Sequence, residues 1–207
     1  MVSVFYSAIP PDSTLYARLL REKALSILVA YLFPYGCSIF RFFEIEPEEI
    51  DEIVEDVIET EQETFGSELE ANRVIAQLRS ELRLTRQVYP GIEDRTATLE
   101  KSSAEIKERL SQELSRRKFA NADEIVEKLM FGDQTFAPTL LSAEESLGLI
   151  SRELVSEGAS ILRQIDPETL FARDEGREGW YLDHFEQWRD LYLSADDKNE
   201  EILVGVA

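Results

Sequence analysis

The chain of 207 residues has one cysteine and one histidine, and this scarcity excludes several classes of chemistry. Cys37 alone cannot form an internal disulfide, which suits a reducing compartment such as the cytoplasm. A metal site of the usual histidine and cysteine kind needs several such ligands, so we expect no metal and no cofactor. A Cys37–His184 dyad stays open, because the partners of such a dyad come together only in the fold.

Glycine is also sparse, and the nine glycines contain no G-x-G arrangement that would let the backbone approach a phosphate. There is no G-x-S-x-G elbow to carry a catalytic serine. The closest glycine cluster is EGREGW, residues 175–180, and it predicts a turn before a helix. These absences favour a binding role over catalysis.

One long uncharged run, ALSILVAYLFPYGCSIF at residues 24–40, approaches the roughly 17–25 residues needed to span a bilayer. Pro34, Tyr35 and Gly36 interrupt it, and proline with glycine is strong turn punctuation. We therefore expect a buried helix end, a turn and a buried strand or short helix, and no contact with a membrane. The opening MVSVFYSAIPPD has no basic region ahead of an apolar run, so we expect no signal peptide.

Positive charge is scarce too, and the formal net charge is −20. Such a charge repels phosphate backbones and anionic membranes over a long range, so we expect no nucleic-acid partner. The basic run Arg116-Arg117-Lys118 is short, and we expect it at a helix end, where cations offset the dipole. What the charge leaves open is a basic protein partner.

Residues 44–70, which we call the acidic stretch, hold thirteen acidic residues and no lysine or arginine. Pro47 suits a first helical position, and apolar residues follow at helical spacing: Ile50, Ile53, Val54, Val57 and Ile58. The pattern predicts a helix with a carboxylate-rich outer face. That face is either simply solvated or binds a basic partner through Glu48, Glu49, Glu52, Glu55, Asp56 and Glu59.

The remaining elements follow from periodicity and caps. SVFYSAI at 3–9 and EILVGVA at 201–207 predict strands. A helix near 14–30 has Asp12 or Ser13 as its cap. Residues 68–88 predict another helix with apolar positions at Leu69, Val74, Ile75, Leu78 and Leu82, ended by Tyr89-Pro90-Gly91.

Three capping boxes, each a Ser or Asn with Glu three residues later, predict three more helices. Ser102 with Glu105 begins one, and its apolar face holds Ile106, Leu110 and Leu114. Asn121 with Glu124 begins another that ends at Gly132, with Ile125, Val126, Leu129 and Met130 as its apolar residues. Ser142 with Glu145 begins the third, which carries Leu147, Ile150 and Leu154. Asp166-Pro167 starts a short turn of helix that reaches Phe171.

These elements predict an α+β fold that is mostly helical, with a small, mainly antiparallel sheet that includes the N-terminal and C-terminal strands. We expect a single domain over residues 1–207, in which residues 64–118 form a projecting helical hairpin. Such a hairpin offers a surface for self-association.

The segment WYLDHFEQWRDLY, residues 180–192, holds both tryptophans and the histidine. Tyr181, Phe185, Trp188 and Tyr192 share one face of the predicted helix, with His184 near its border. This face is either core packing or the wall of a pocket formed by Trp180, His184 and Trp188. In the second case the protein binds a small molecule or is a hydrolase.

The C-terminal third resembles the bacterial domain-of-unknown-function family 1877, the YfbM-like proteins. The resemblance lies in the opening strand, the segment Leu140-Leu141-Ser142-Ala143-Glu144-Glu145, the Asp166-Pro167 turn, and the closing helix and strand from Tyr181 to Val206. It covers the first dozen residues and about 125–207, while 40–120 departs from it. DEIVEKLMFG, 123–132, stands where the family has a segment with tryptophan and histidine. The resemblance implies a compact α+β domain and no established activity.

Overall fold

A computed structural model describes residues 3–36, 39–44, 50–52, 55, 59, 65, 67–137, 146–171 and 178–206. Five strands form one sheet: β1 (Val4–Ile9), β2 (Thr96–Thr98), β3 (Gln134–Ala137), β4 (Ser146–Ile150) and β5 (Glu201–Val206). Their order is β2-β1-β5-β4-β3, and every neighbouring pair is antiparallel. The terminal strands pair with each other near the middle of the sheet, with Tyr6 opposite Val204. The predicted α+β class and terminal strands are confirmed.

Helices cover both faces of the sheet. The described α-helices are α1 (Thr14–Leu19), α2 (Lys23–Gly36), α3 (Glu68–Val88), α4 (Ser103–Arg116), α5 (Ala122–Phe131), α6 (Arg152–Leu162), α7 (Pro167–Phe171) and α8 (Glu178–Asp197). Short 3-10 helices span Ile39–Glu44 and Ile92–Asp94. None of the helices in the described part of the chain is both long and apolar enough to cross a membrane.

Alternation along the strands assigns each side chain to one of two apolar clusters. Phe5, Ile9 and Leu203 point to the face that α1, α2 and α3 cover, and Tyr6, Ile202 and Val204 point to the face covered by α4, α5, α6, α7 and α8. Because both faces are covered, β1 is buried along its whole length. Such strands have continuous apolar runs rather than an alternating pattern, as ILV in β5 illustrates.

The predicted hairpin of residues 64–118 is wrong. Its two helices, α3 and α4, lie on opposite faces of the sheet, and Val74 and Ile106 belong to different apolar clusters. The chain between them forms a 3-10 turn and then β2, which pairs with β1 at the sheet edge. Strand β2 has only three residues, which is too short to show a clear period in the sequence. Because it lies between α3 and α4, the two helices pack on different faces of the sheet.

Two predicted helices also need correction. The segment 14–30 forms two helices rather than one, because the chain turns over Leu20–Glu22 and α2 starts again with the amides of Leu25 and Ser26 donating to the Glu22 carbonyl. The break lets both helices put leucines against the same face of the sheet. In addition, α2 continues through Pro34 and ends at Gly36. The turn that we expected at residues 34–36 is therefore the last part of the helix.

The helix predicted from Ser142 is the second error. Leu147 and Ile150 lie in β4, which pairs with β5, and the helix begins later, at Arg152, with Ser151 as its cap. Ser142 and Glu145 lie outside the described residues. The apolar spacing in SLGLI, residues 146–150, fits the period of a helix as well as that of a strand. The segment forms a strand because it pairs with β5.

Most other predicted elements are confirmed, but only some of the predicted cap residues form a hydrogen bond with their helix. Ser13 caps α1 by accepting from the Tyr16 amide at 3.1 Å. The helices α3, α4, α5 and α7 have the expected bounds to within a residue or two. Ser102 and Asn121 stand at the N-cap positions of α4 and α5 but make no side-chain cap hydrogen bond. Leu69 was expected on the apolar face of α3 and is 81% exposed.

We expect Gly158→Ala to destabilise the fold by about 1–3 kcal/mol, as overpacking of a dense core does. A Cβ at Gly158 in α6 would lie 2.6 Å from Leu129 Cδ2 and 2.7 Å from Tyr192 Cε1. Gly179 in α8 is the matched control, because a Cβ there meets no atom within 4 Å. Urea unfolding of the two variants checks this, and equal stabilities would contradict the close packing.

Candidate functional site

The aromatic face of α8 lies in the core. Phe185, Trp188 and Tyr192 have no exposed surface. The Trp188 ring lies 6.0 Å from the Phe185 ring, 5.1 Å from the Tyr192 ring and 6.1 Å from the Tyr6 ring, measured between centroids. Trp188 therefore packs inside the protein and does not line a surface pocket with Trp180 and His184.

Two buried phenols bind the end of α5. The Tyr192 hydroxyl donates to the Leu129 carbonyl at 2.6 Å, and the Tyr6 hydroxyl donates to the Met130 carbonyl at 3.0 Å. Carbonyls in the last turn of a helix have no partner within that helix, so the phenols satisfy them. Burial raises the pKa of both phenols well above the ordinary value, which keeps them protonated donors. The buried indole N–H of Trp188 has no hydrogen-bond partner among the described residues.

Trp180 and His184 form the outward part of the same helix. Trp180 is 39% exposed, and its ring centroid lies 4.5 Å from that of His184. His184 Nδ1 lies 2.9 Å from the hydroxyl oxygen of Ser102, the N-cap residue of α4. The diverted hydroxyl explains why Ser102 does not cap its own helix. The contact joins the start of α4 to α8.

A serine beside a histidine is the pairing that activates a nucleophile, but this pair is not accessible. Ser102 has no exposed surface, so an electrophile cannot reach its oxygen. Burial lowers the pKa of His184 below its ordinary value of 6.5, and the nearby charges of Glu100 and Asp183 oppose the shift only in part. A neutral imidazole suits this place, since the positive end of the α4 dipole disfavours a cation. The geometry is that of a structural hydrogen bond.

Metal and cysteine chemistry find no support in the described part of the chain. There, no group of three or more histidine, cysteine, aspartate or glutamate side chains could hold a metal ion. Cys37 lies outside the described residues, so the structure does not test the Cys37–His184 dyad.

In the sequence, Ser102 fits half of a capping box. That short pattern does not indicate the contact of Ser102 with the histidine.

Two buried carboxyls at the start of β5 were not singled out in the sequence. Glu200 binds Arg95 at 2.5 Å, and Glu201 contacts the Tyr16 hydroxyl and the backbone amide of Arg152. Burial is the main cause that raises the pKa of each carboxyl above 4.5. Both residues end the polar segment ADDKNEE, residues 195–201, where exposed acids are the ordinary expectation, so no pattern in the sequence indicates their burial.

Two apolar residues of the acidic stretch are buried. Ile50 and Phe65 are buried in the same apolar cluster as the inner face of α3, which includes Ile75 and Leu78. Glu52, Glu55 and Glu59 of the predicted partner site are exposed. The other three predicted residues, Glu48, Glu49 and Asp56, lie outside the described residues.

Most cations of the described surface already have carboxylate partners. Arg18 binds Glu22 at 2.6 Å and Glu81 at 3.1 Å, and Arg163 binds Asp196 at 2.9 Å. Similar pairs hold Arg41, Arg73, Arg86, Arg95, Lys107, Arg109, Arg116, Arg117, Lys128 and Arg152. These pairs neutralise positive charge locally on the described surface.

No protein-family model, no curated protein and no solved structure matches the chain. The resemblance to the YfbM-like family therefore remains a proposal.

We expect the fluorescence of Trp180 to report the protonation of His184. A protonated imidazole quenches an indole in contact with it, so emission falls as pH decreases, with a midpoint below 6.5 because burial lowers the pKa of His184. The fall disappears in His184→Gln and in Trp180→Phe. A midpoint at or above 6.5, or a fall that survives in His184→Gln, would contradict the contact.

We expect Glu201→Gln to stabilise the fold at pH 7. Because burial raises the pKa of Glu201, the folded state holds this proton more tightly than the unfolded state does. The stabilising contribution of the carboxyl is complete below 4.5 and is lost as pH rises through the folded pKa. The advantage of the variant in free energy of unfolding therefore grows as pH rises from about 4.5 to 7.

Urea unfolding across this pH range is the measurement, with Glu157→Gln on the exposed side of α6 as the control. A loss of stability in Glu201→Gln at pH 7 would show that the ionised carboxylate stabilises the fold.

Proposed function

We propose that the protein is a non-enzymatic interaction or regulatory protein of the cytoplasm that binds a basic protein partner through the acidic stretch. The observation that carries the proposal is the exposure of Glu52, Glu55 and Glu59, which lie in the sequence between two residues, Ile50 and Phe65, that are buried in the same apolar cluster as the inner face of α3. These three carboxylates contact solvent.

Burial of Ile50 and Phe65 favours binding, because residues that are already fixed lose less conformational entropy when a partner docks. The thirteen acids of the stretch have no lysine or arginine among them to neutralise their field. Complementary charge of this kind raises the association rate and gives specificity, and salt weakens both. The partner surface that fits is a lysine- and arginine-rich helix or peptide. The same field opposes nucleic acids and anionic membranes.

The alternative, a small-molecule-binding protein or hydrolase with a pocket at Trp180, His184 and Trp188, has less support. Trp188 is buried in the core, and Ser102 beside His184 has no exposed surface. The family resemblance, which implies no established activity, is compatible with a binding role.

Neutralising the acidic stretch tests the proposal. We expect the triple variant Glu52→Gln, Glu55→Gln and Glu59→Gln to bind a lysine decapeptide about tenfold more weakly at low salt, since each exposed charge pair contributes a few tenths to 1 kcal/mol. Calorimetric titration at low and high salt gives the dissociation constants.

A second triple variant is the control, because it removes the same charge from the exposed face of α8: Asp183→Asn, Glu186→Gln and Asp190→Asn. We expect it to weaken binding much less than the first. Equal weakening by both triples would mean that the peptide responds to net charge alone, and the acidic stretch would not be the site.

A further inference from the structure

The basic run at the end of α4 has more positive charge than its carboxylate partner balances. Arg116 and Arg117 both bind the single carboxylate of Glu113, at 2.8 and 2.6 Å. Lys118 follows at a left-handed φ of 66° and is exposed. This end of the helix therefore has surplus cations on the surface.

In the other half of α4, one acidic residue has no cation partner among the described residues. The Glu108 carboxylate accepts from the Gln112 amide at 3.0 Å, and no cation of the described residues lies within ion-pair distance of it. On this line of the helix, the unpaired Glu108 thus precedes Gln112, and Arg116, which shares one carboxylate with Arg117, follows it. Glu108 and Arg116 stand four residues before and after Gln112, which is about 6 Å along the axis in each direction.

Two open grooves flank the line of Glu108 and Gln112, which we call the α4 ridge. One groove, of about 400 Å³, lies between α4 and α7 and includes Thr169 and Leu170. The other, of about 530 Å³, lies on the α5 side and includes Ser111 and Asp123. A ridge with a groove on each side is the surface by which one helix packs on another, ridge into groove.

We propose that the α4 ridge is an interface with a second copy of this chain, in which the two α4 helices cross antiparallel about a two-fold axis at Gln112. A two-fold interface must be complementary to itself. With Gln112 on the axis, Glu108 of each copy faces Arg116 of the other, which forms two intermolecular ion pairs. Opposed helix dipoles add to the attraction.

The charge of the whole protein selects this face. Two copies with a net charge of −20 each repel over most of their surface. The helix α4 has three acidic residues, Glu105, Glu108 and Glu113, and three basic residues, Lys107, Arg109 and Arg116, so it brings no net charge to the contact. Salt screens the repulsion between the copies and also the two ion pairs, so its two effects on the dimer oppose each other, whereas it only weakens binding to a basic partner. The dimer variants lie on α4 and the partner-binding variants lie in the acidic stretch, so the two proposals are tested separately.

Charge exchange tests the interface on the full chain by sedimentation velocity over a range of concentrations. We expect Glu108→Arg alone and Arg116→Glu alone to weaken dimerisation at least tenfold, because each places like charges opposite each other. The double variant restores the dimer. A mixture of the two single variants forms a heterodimer, since every facing pair is then of opposite charge.

Glu157→Arg is the control for folding and net charge, because Glu157 is exposed on α6, away from the α4 ridge. We expect its dimerisation to equal or slightly exceed that of the unmodified chain. A monomeric unmodified chain at all concentrations would overturn the proposal. So would single variants that dimerise normally, or a mixture and a double variant that stay monomeric.

Discussion

Two buried hydroxyl groups determine how the two ends of this chain join its middle. Tyr6 lies in the first strand and Tyr192 in the last helix, and both donate to carbonyls at the end of α5. A buried hydroxyl without a partner costs about 1–3 kcal/mol, so these donors fix the position of α5 against the sheet and α8. Trp188 fills the space between the two phenols. Tyr6, Trp188 and Tyr192 have no exposed surface, so the three rings form a closely packed centre.

Because these aromatic residues are buried, we look for the functional features of the protein on its surface. The one histidine is held by a buried serine, and the cations of the described surface are largely paired with nearby carboxylates. What differs between regions of the surface is the balance of charge. The acidic stretch has thirteen acidic residues and no lysine or arginine in its sequence, whereas α4 has equal numbers of acidic and basic residues. Our two proposals follow from that difference.

The parts of the fold that the sequence predicted are those whose signal is local. Apolar periodicity located α3 and α4, and the apolar runs at the two ends located β1 and β5. Strand β4 was mistaken for part of a helix, because Leu147, Ile150 and Leu154 have helical spacing and only pairing with β5 decides between the two periods. The same limit applies to β2, whose three residues separate the supposed hairpin helices.

Site chemistry was harder to predict, because it depends on contacts between residues far apart in the chain. The contact of Ser102 with His184 joins residues 82 positions apart, and nothing local distinguishes Ser102 from an ordinary cap. Burial of Glu200 and Glu201 likewise comes from the packing of α1, α6 and the start of β2 around β5. The buried aromatic face of α8 was one of two interpretations of its periodicity, and the structure selects it by covering Trp188.

The central claim is that the aromatic face of α8 is sealed inside the protein, and quenching of single-tryptophan variants by acrylamide tests it most directly. The Trp180→Phe variant reports Trp188 alone, and the Trp188→Phe variant reports Trp180 alone. We predict emission at short wavelength and a quenching constant several-fold smaller for Trp188 than for the exposed Trp180. Equal quenching of the two, with Trp188 emitting as it would in water, would mean that the face lines an open cavity and would contradict the account.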